Sequence, residues 1–212
     1  MKTYYFLLSF FLISACSQPV RQEEAHDGHI PPGSATIHSM DTYNYADSVN
    51  EGLITNDTMK GSVHRTSMAT IGKTHVHIEY SSPGVKNRII WGGLVPDKQV
   101  WVAGAHHATS IAFNNDILLN NQRIEEGTYA LFVIPDQKNW TVVLNRNYEQ
   151  HLTDDYTEAE DVCRIVLPVD SVAFTPRLTY KVQKIDSLNG SIIFSWEKRG
   201  ITIPFRVANG DY

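Results

Sequence analysis

Histidine is the residue whose placement in this chain suggests chemistry. The sequence carries 9 His, two of them in His75-Val76-His77-Ile78-Glu79-Tyr80, where polar and apolar residues alternate. Side chains of a β-strand point to opposite faces in turn, so His75, His77 and Glu79 would share one face and Val76, Ile78 and Tyr80 the other. Two imidazoles so spaced stand about 7 Å apart along the backbone, close enough to converge on one cation. Taken alone, the pattern also fits the polar face of a half-exposed strand. His106 and His107 are adjacent and face opposite ways on extended chain, so at most one can join the pair. His151 follows in Tyr148-Glu149-Gln150-His151-Leu152, a loop-like stretch of the kind where sites gather. His64 precedes the first expected strand, and His26, His29 and His38 lie in a polar segment where scattered histidines are ordinarily inert.

Other reactive constellations are absent. There is no Gly-x-Ser-x-Gly elbow, His-Glu-x-x-His, Walker loop or EF-hand loop. Asp154, Asp155, Glu158, Glu160 and Asp161 form an acidic run, which reads as a solvated turn rather than a pair of glycosidase carboxylates. Of the 2 Cys, Cys163 sits in apolar Val162-Cys163-Arg164-Ile165-Val166-Leu167 and reads as a small core side chain. Two cysteines cannot build a disulfide framework.

The elements that must position these residues are short strands. Apolar or alternating runs occur at 75–80, 110–113, 128–134, 140–144, 164–169, 178–185, 191–196 and 201–207. Turn residues such as Ser-Pro-Gly, Asn-Asn-Asp, Glu-Glu-Gly and Leu-Asn-Gly separate them. That spacing predicts an all-β sandwich of roughly eight to ten strands, jelly-roll-like, over 63–208. One short helical piece is expected near 153–161. The four Trp (Trp91, Trp101, Trp140, Trp196) read as core. The lack of βαβ alternation argues against a dinucleotide fold. The 212 residues carry a formal charge of −5 and no long basic run, which argues against a nucleic-acid partner.

The N-terminus reads as an address. Lys2 precedes an apolar run over 4–13, too short to cross the bilayer but right for a signal-peptide core. Ile13-Ser14-Ala15-Cys16 then has the form of a lipobox, with cleavage before Cys16 and acylation of its thiol. The expected layout is a lipoprotein signal peptide over 1–15, a disordered polar tether over 16–62 and the β domain. Membrane lipid is then the partner, through Cys16.

Several blocks in order resemble the domain-of-unknown-function family number 2911, exported proteins of Gram-negative bacteria. They are HVHIEYSSPGVKNR at 75–88, Ile90-Trp91-Gly92, Leu94-Val95-Pro96, Trp101-Val102-Ala103-Gly104-Ala105, Ala108-Thr109, 127–135, Trp140-Thr141-Val142 and Ser195-Trp196-Glu197-Lys198. The resemblance implies a β fold and a place in the cell envelope, anchored to the outer or inner membrane, and no reaction. The family pattern around Trp101 reads W-R-x-G-A-N-E-A-T, whereas here Val102 replaces the Arg and His106-His107 the Asn-Glu pair. Position 151 commonly holds Trp, and positions 75 and 77 Thr-like residues. This chain thus looks like a His-rich branch.

Together these departures lead to the expectation that His75, His77, His106 and His151 meet around copper or zinc, with His64, Glu79 and His107 as supporting or extra ligands. Such a site would store metal or, with an open position, activate water. The alternatives are a carbohydrate- or peptide-binding sandwich, with Tyr148, Tyr156 and Trp91 as a platform, and a purely structural envelope module.

Overall fold

The computed structural model describes residues 37–208, with side chains from residue 44 onward. The segment expected as signal peptide, Cys16 and the expected tether as far as residue 36 lie outside the described residues. A helix, α1 (Ile37–Asn50), comes first. Ten strands follow: β1 (Val63–Ile71), β2 (Thr74–Ser82), β3 (Thr109–Phe113), β4 (Ile117–Leu119), β5 (Gln122–Ile124), β6 (Gly127–Ile134), β7 (Asn139–Asn145), β8 (Asp161–Pro168), β9 (Asp170–Lys184) and β10 (Asn189–Val207). They form two antiparallel sheets, of order β1-β2-β3-β6-β7-β8 and β5-β4-β10-β9. The expected all-β sandwich is what the chain forms, and a 3-10 helix (Glu158–Glu160) stands where the short helical piece was expected.

Alternation explains the inner faces. In β2, Val76, Ile78 and Tyr80 are buried while His75, His77 and Glu79 are not. Together with Ile111, Leu131, Val142 and Trp140 they meet Leu178, Phe194, Trp196 and Ile203 of the second sheet in one core. Each such side chain contributes about 1.5–3 kcal/mol by leaving water. A smaller cluster of Val102, Ala108, Ala130, Phe132 and Val143 forms on the opposite side of β6 and β7, with the Tyr156 ring 5.2 Å from Phe132.

Tight turns supply several of the connections. Gly72 takes φ +59° between β1 and β2, where a side chain would also strike the Ser187 carbonyl 2.7 Å away. Asn120 and Asn121, at φ 51° and 63°, make the β4–β5 turn, which Asn tolerates. The expected strands at 191–196 and 201–207 are one strand, β10. Its pairing with β9 shifts register around Glu197, itself at φ 57°, so the polar 197–200 stretch is a bulge and not a loop.

Helix α1 falls inside the 16–62 stretch expected as tether, and the order extends to residue 62. Its composition is polar, so tertiary contacts hold it rather than an apolar stripe. Ala46 and Val49 are buried, and Asp47 pairs with Arg65. Asn50 donates to the Arg177 carbonyl (2.9 Å) and accepts from its amide (2.8 Å), satisfying the backbone of edge strand β9. Tyr45 Oη donates to Asp57 and accepts from the amides of Thr58 and Met59.

Candidate functional site

The structure sorts the predicted histidines into separate places. His75 and His77 share the outer face of β2 as expected, with ring centroids 6.3 Å apart. His75 Nδ1 lies 3.1 Å from Thr70 Oγ1. Glu79 sits between His77 and His64, its two oxygens 3.3 Å and 3.9 Å from their Nε2 atoms. The 3.3 Å approach lacks hydrogen-bond alignment, and His77 Nε2 has no hydrogen-bond partner among the described residues. Glu79 is therefore a counter-charge for these imidazoles when they are protonated.

His107 pairs elsewhere. It bridges His151 through the backbone, the rings 6.0 Å apart and edge to face, and His151 Nδ1 lies 3.1 Å from Asp154. His77 registers with Ala112 in β3, whereas His107 precedes Thr109, the first residue of that strand. The stretch from Thr109 to Ala112 alone is about 10 Å of extended chain. His106 turns away from His107 and lines a cavity. Among the described residues no three His, Cys, Asp or Glu form a group able to hold a metal ion. His75, His77, His106 and His151 therefore do not meet, because they belong to three different surface features of the sandwich.

What the fold does assemble is that cavity, of about 530 Å³, at one end of the sandwich. Its walls come from the segment before β1 (Gly61, Ser62), the turn after β2 (Pro83, Lys86, Arg88) and the loop at 94–95. The 101–106 loop, Leu152 and Trp196 of β10 complete them. The indoles of Trp101 and Trp196 lie nearly parallel (19°) with centroids 5.8 Å apart, and Trp91 packs edge-on against both at 5.9 Å and 5.8 Å. Trp101 Nε1 donates to the Gly104 carbonyl. Trp196 is 1% exposed, and its Nε1 has no partner among the described residues.

The 101–106 loop is held from behind. The carbonyl of buried Ala103 accepts from Tyr180 Oη (2.8 Å) and Thr109 Oγ1 (3.1 Å), and Tyr80 Oη accepts from the Tyr180 amide. Burial, and then the neighbouring Tyr80, push the Tyr180 hydroxyl well above its ordinary pKa, so it stays a donor. Left-handed backbone concentrates here. Lys86, Ala103, His106 and Leu152 have φ of 45°, 50°, 65° and 49°, conformations that cost non-glycine residues free energy and that gather at working sites.

The segment before β1 is clamped in place. Arg177, fully buried, donates to the Ser82 carbonyl (3.0 Å), Asp57 Oδ1 (2.7 Å) and the Met59 carbonyl (3.2 Å), with its guanidinium 5.2 Å from the Tyr45 ring. Lys86 Nζ also donates to the Met59 carbonyl and lies 3.9 Å from Asp57. Burial raises the Asp57 pKa, but the hydrogen bond and charge of Arg177, with Lys86, outweigh it and hold the carboxyl below its ordinary value.

Trp101, Trp196, Lys86 and Arg88 were not singled out as site residues from sequence, where the tryptophans read as core. Of the proposed platform, Tyr148 is exposed, Tyr156 hydrogen-bonds Asp161, and Trp91 lies behind the cavity wall. A signal was nevertheless present. Apart from Gly61, Ser62, His106 and Leu152, every lining residue belongs to one of the blocks that carry the family resemblance. In the comparisons, the family model described as a protein of unknown function (DUF2911) matches residues 62–205. No curated protein and no solved structure matches the chain.

Proposed function

The chain belongs to the DUF2911 family, and on that premise we propose that it is a lipid-anchored ligand-binding protein of the cell envelope, whose sandwich takes a small organic molecule into the tryptophan-walled cavity. The observation that carries this reading is the convergence of blocks at 83–88, 94–95, 101–105 and 196 on one cavity. The volume falls within the roughly 300–1,000 Å³ of small-molecule sites, and its mix of apolar walls with a few polar groups is their usual make-up. Anchoring rests on Ile13-Ser14-Ala15-Cys16, with acylated Cys16 joining the protein to the membrane. Copper or zinc on the four histidines is not part of this reading, because His106 and His151 lie away from the His75–His77 pair and from each other's surface feature. The sugar- or peptide-platform reading gives way too, since the aromatics that gather face a pocket rather than an exposed row.

The test uses the mature chain carrying Cys16→Ser, screened by thermal shift and tryptophan emission against small aromatic acids, bases and neutral compounds. A ligand at a hundred times its Kd stabilises the fold by about 2.7 kcal/mol. Hits are expected that also change the emission of Trp101 and Trp196 and that vanish in Ala105→Phe, which fills the cavity. Hits that persist in that variant, or none from any class, would overturn the reading. Labelling with a palmitate analogue in cells, expected for the natural chain and absent for Cys16→Ser, tests the anchor.

A further inference from the structure

From the charge around the cavity we infer that its ligand is an organic carboxylate, a flat apolar body bearing one negative group; this rests on the cavity being a binding site. Among the described residues no Asp or Glu lines the cavity, whereas Lys86, Arg88 and His106 do. That asymmetry stands out in a chain whose net charge is −5. Asp57, the nearby acid, is already engaged by Arg177 and faced by Lys86, so the three groups sum to one positive charge. Arg88 has no acidic partner among the described residues. Its Nε and Nη2 donate to the carbonyls of Val85 and Gly84, which fixes the guanidinium while leaving further N–H groups for a ligand.

The rest of the wall says what the remainder of the molecule is. Half-buried Trp101 presents aromatic surface, backed by the parallel indole of buried Trp196, and Leu94 and Val95 add aliphatic surface. A guanidinium held by its own backbone contacts suits a planar carboxylate, since the fork is pre-organised. A cationic ligand has no counter-charge here and would meet Lys86 and Arg88 instead.

The experiment compares 2-naphthoate with 2-naphthylmethanol, of the same body and without charge, on the mature Cys16→Ser chain by titration calorimetry. Naphthoate is expected to bind about ten- to hundred-fold more tightly, the value of charged over neutral hydrogen bonding. Raising salt from low to high should weaken naphthoate and leave the alcohol unchanged. Arg88→Gln should bring naphthoate down to the affinity of the alcohol. Because that change also touches the 84–88 turn, the salt series on the unsubstituted chain stands as an independent measure. Equal affinity of the two probes, or a preference indifferent to both salt and Arg88→Gln, overturns the carboxylate and leaves the cavity reading intact. Failure of both probes to bind overturns the carboxylate, and the screen across acids, bases and neutral compounds decides the cavity reading separately.

Discussion

Removing the Arg177 guanidinium should unfasten the segment that carries α1 and the wall at Gly61–Ser62. Arg177 is fully buried and is held by three acceptors, one of them the Asp57 carboxylate at 2.7 Å. Arg177→Met keeps the aliphatic stem but leaves the Ser82 and Met59 carbonyls without this donor and Asp57 without its principal charge partner. Breaking one side of a buried pair costs about 3–5 kcal/mol. For a domain of this size each kcal/mol moves Tm by roughly 2–4 °C, so a fall of about 6–20 °C is expected. Asp57→Asn should cost less, since Oδ1 can still accept from Arg177. The double variant should lose less than the two single losses combined, because the second change removes a group already stranded. Calorimetry supplies the Tm values, and limited proteolysis should show cleavage between residues 50 and 62 appearing in Arg177→Met before the sandwich melts. The sign with pH follows from Asp57. Its carboxyl is held below the usual value in the folded protein, so its contribution is present at neutral pH and is lost as pH falls below about 4 toward the folded value. An Arg177→Met protein within 2 °C of the unsubstituted chain, or strictly additive losses, would refute the clamp.

Three other expectations follow from particular contacts. Tyr180→Phe deletes the 2.8 Å donor to the Ala103 carbonyl and should cost about 1 kcal/mol, read by chemical denaturation; no measurable loss would mean that Thr109 alone holds the loop. Gly104→Ala places a Cβ 2.7 Å from Thr109 Oγ1 and 3.3 Å from the Ser81 carbonyl, and overpacking of this kind costs about 1–3 kcal/mol. The shift should reach the Trp101 emission, because Trp101 Nε1 bonds the Gly104 carbonyl, and unchanged stability and emission would count against the tight approach. Cys163 is 4% exposed and burial pushes its thiol upward, so in the Cys16→Ser chain a thiol reagent should label it only on unfolding; native labelling as fast as in guanidinium would contradict its burial.

Much of the fold is legible in sequence because it rests on period two. The alternation at 75–80 fixes which face of β2 enters the core, and the runs at 128–134 and 140–144 are apolar enough to announce central strands. β1 escapes notice because His64, Thr66, Met68 and Thr70 face outward between residues of mixed polarity, and β4 and β5 are too short for any periodicity to register. Helix α1 is invisible for another reason. Its sequence lacks an apolar stripe, and what orders it is Arg177, Arg65 and the edge of β9, contributed from 15 to more than 100 residues away.

The site divides along the same line. Sequence by itself determined that His75, His77 and Glu79 share a face, that Cys163 is a core residue, and that the chain folds as a β sandwich, since each depends on local alternation or local polarity. It could not determine that the histidines fall on three separate features, nor that Trp196 of β10 meets Trp101 and Arg88 around one cavity. Those facts depend on strand order and loop path, on β3 lying between β2 and β6, and on the 101–106 loop being bent back by Tyr180. Only the tertiary structure sets these, because residues about 100 positions apart meet through the closure of two sheets over a shared core and not through any spacing along the chain.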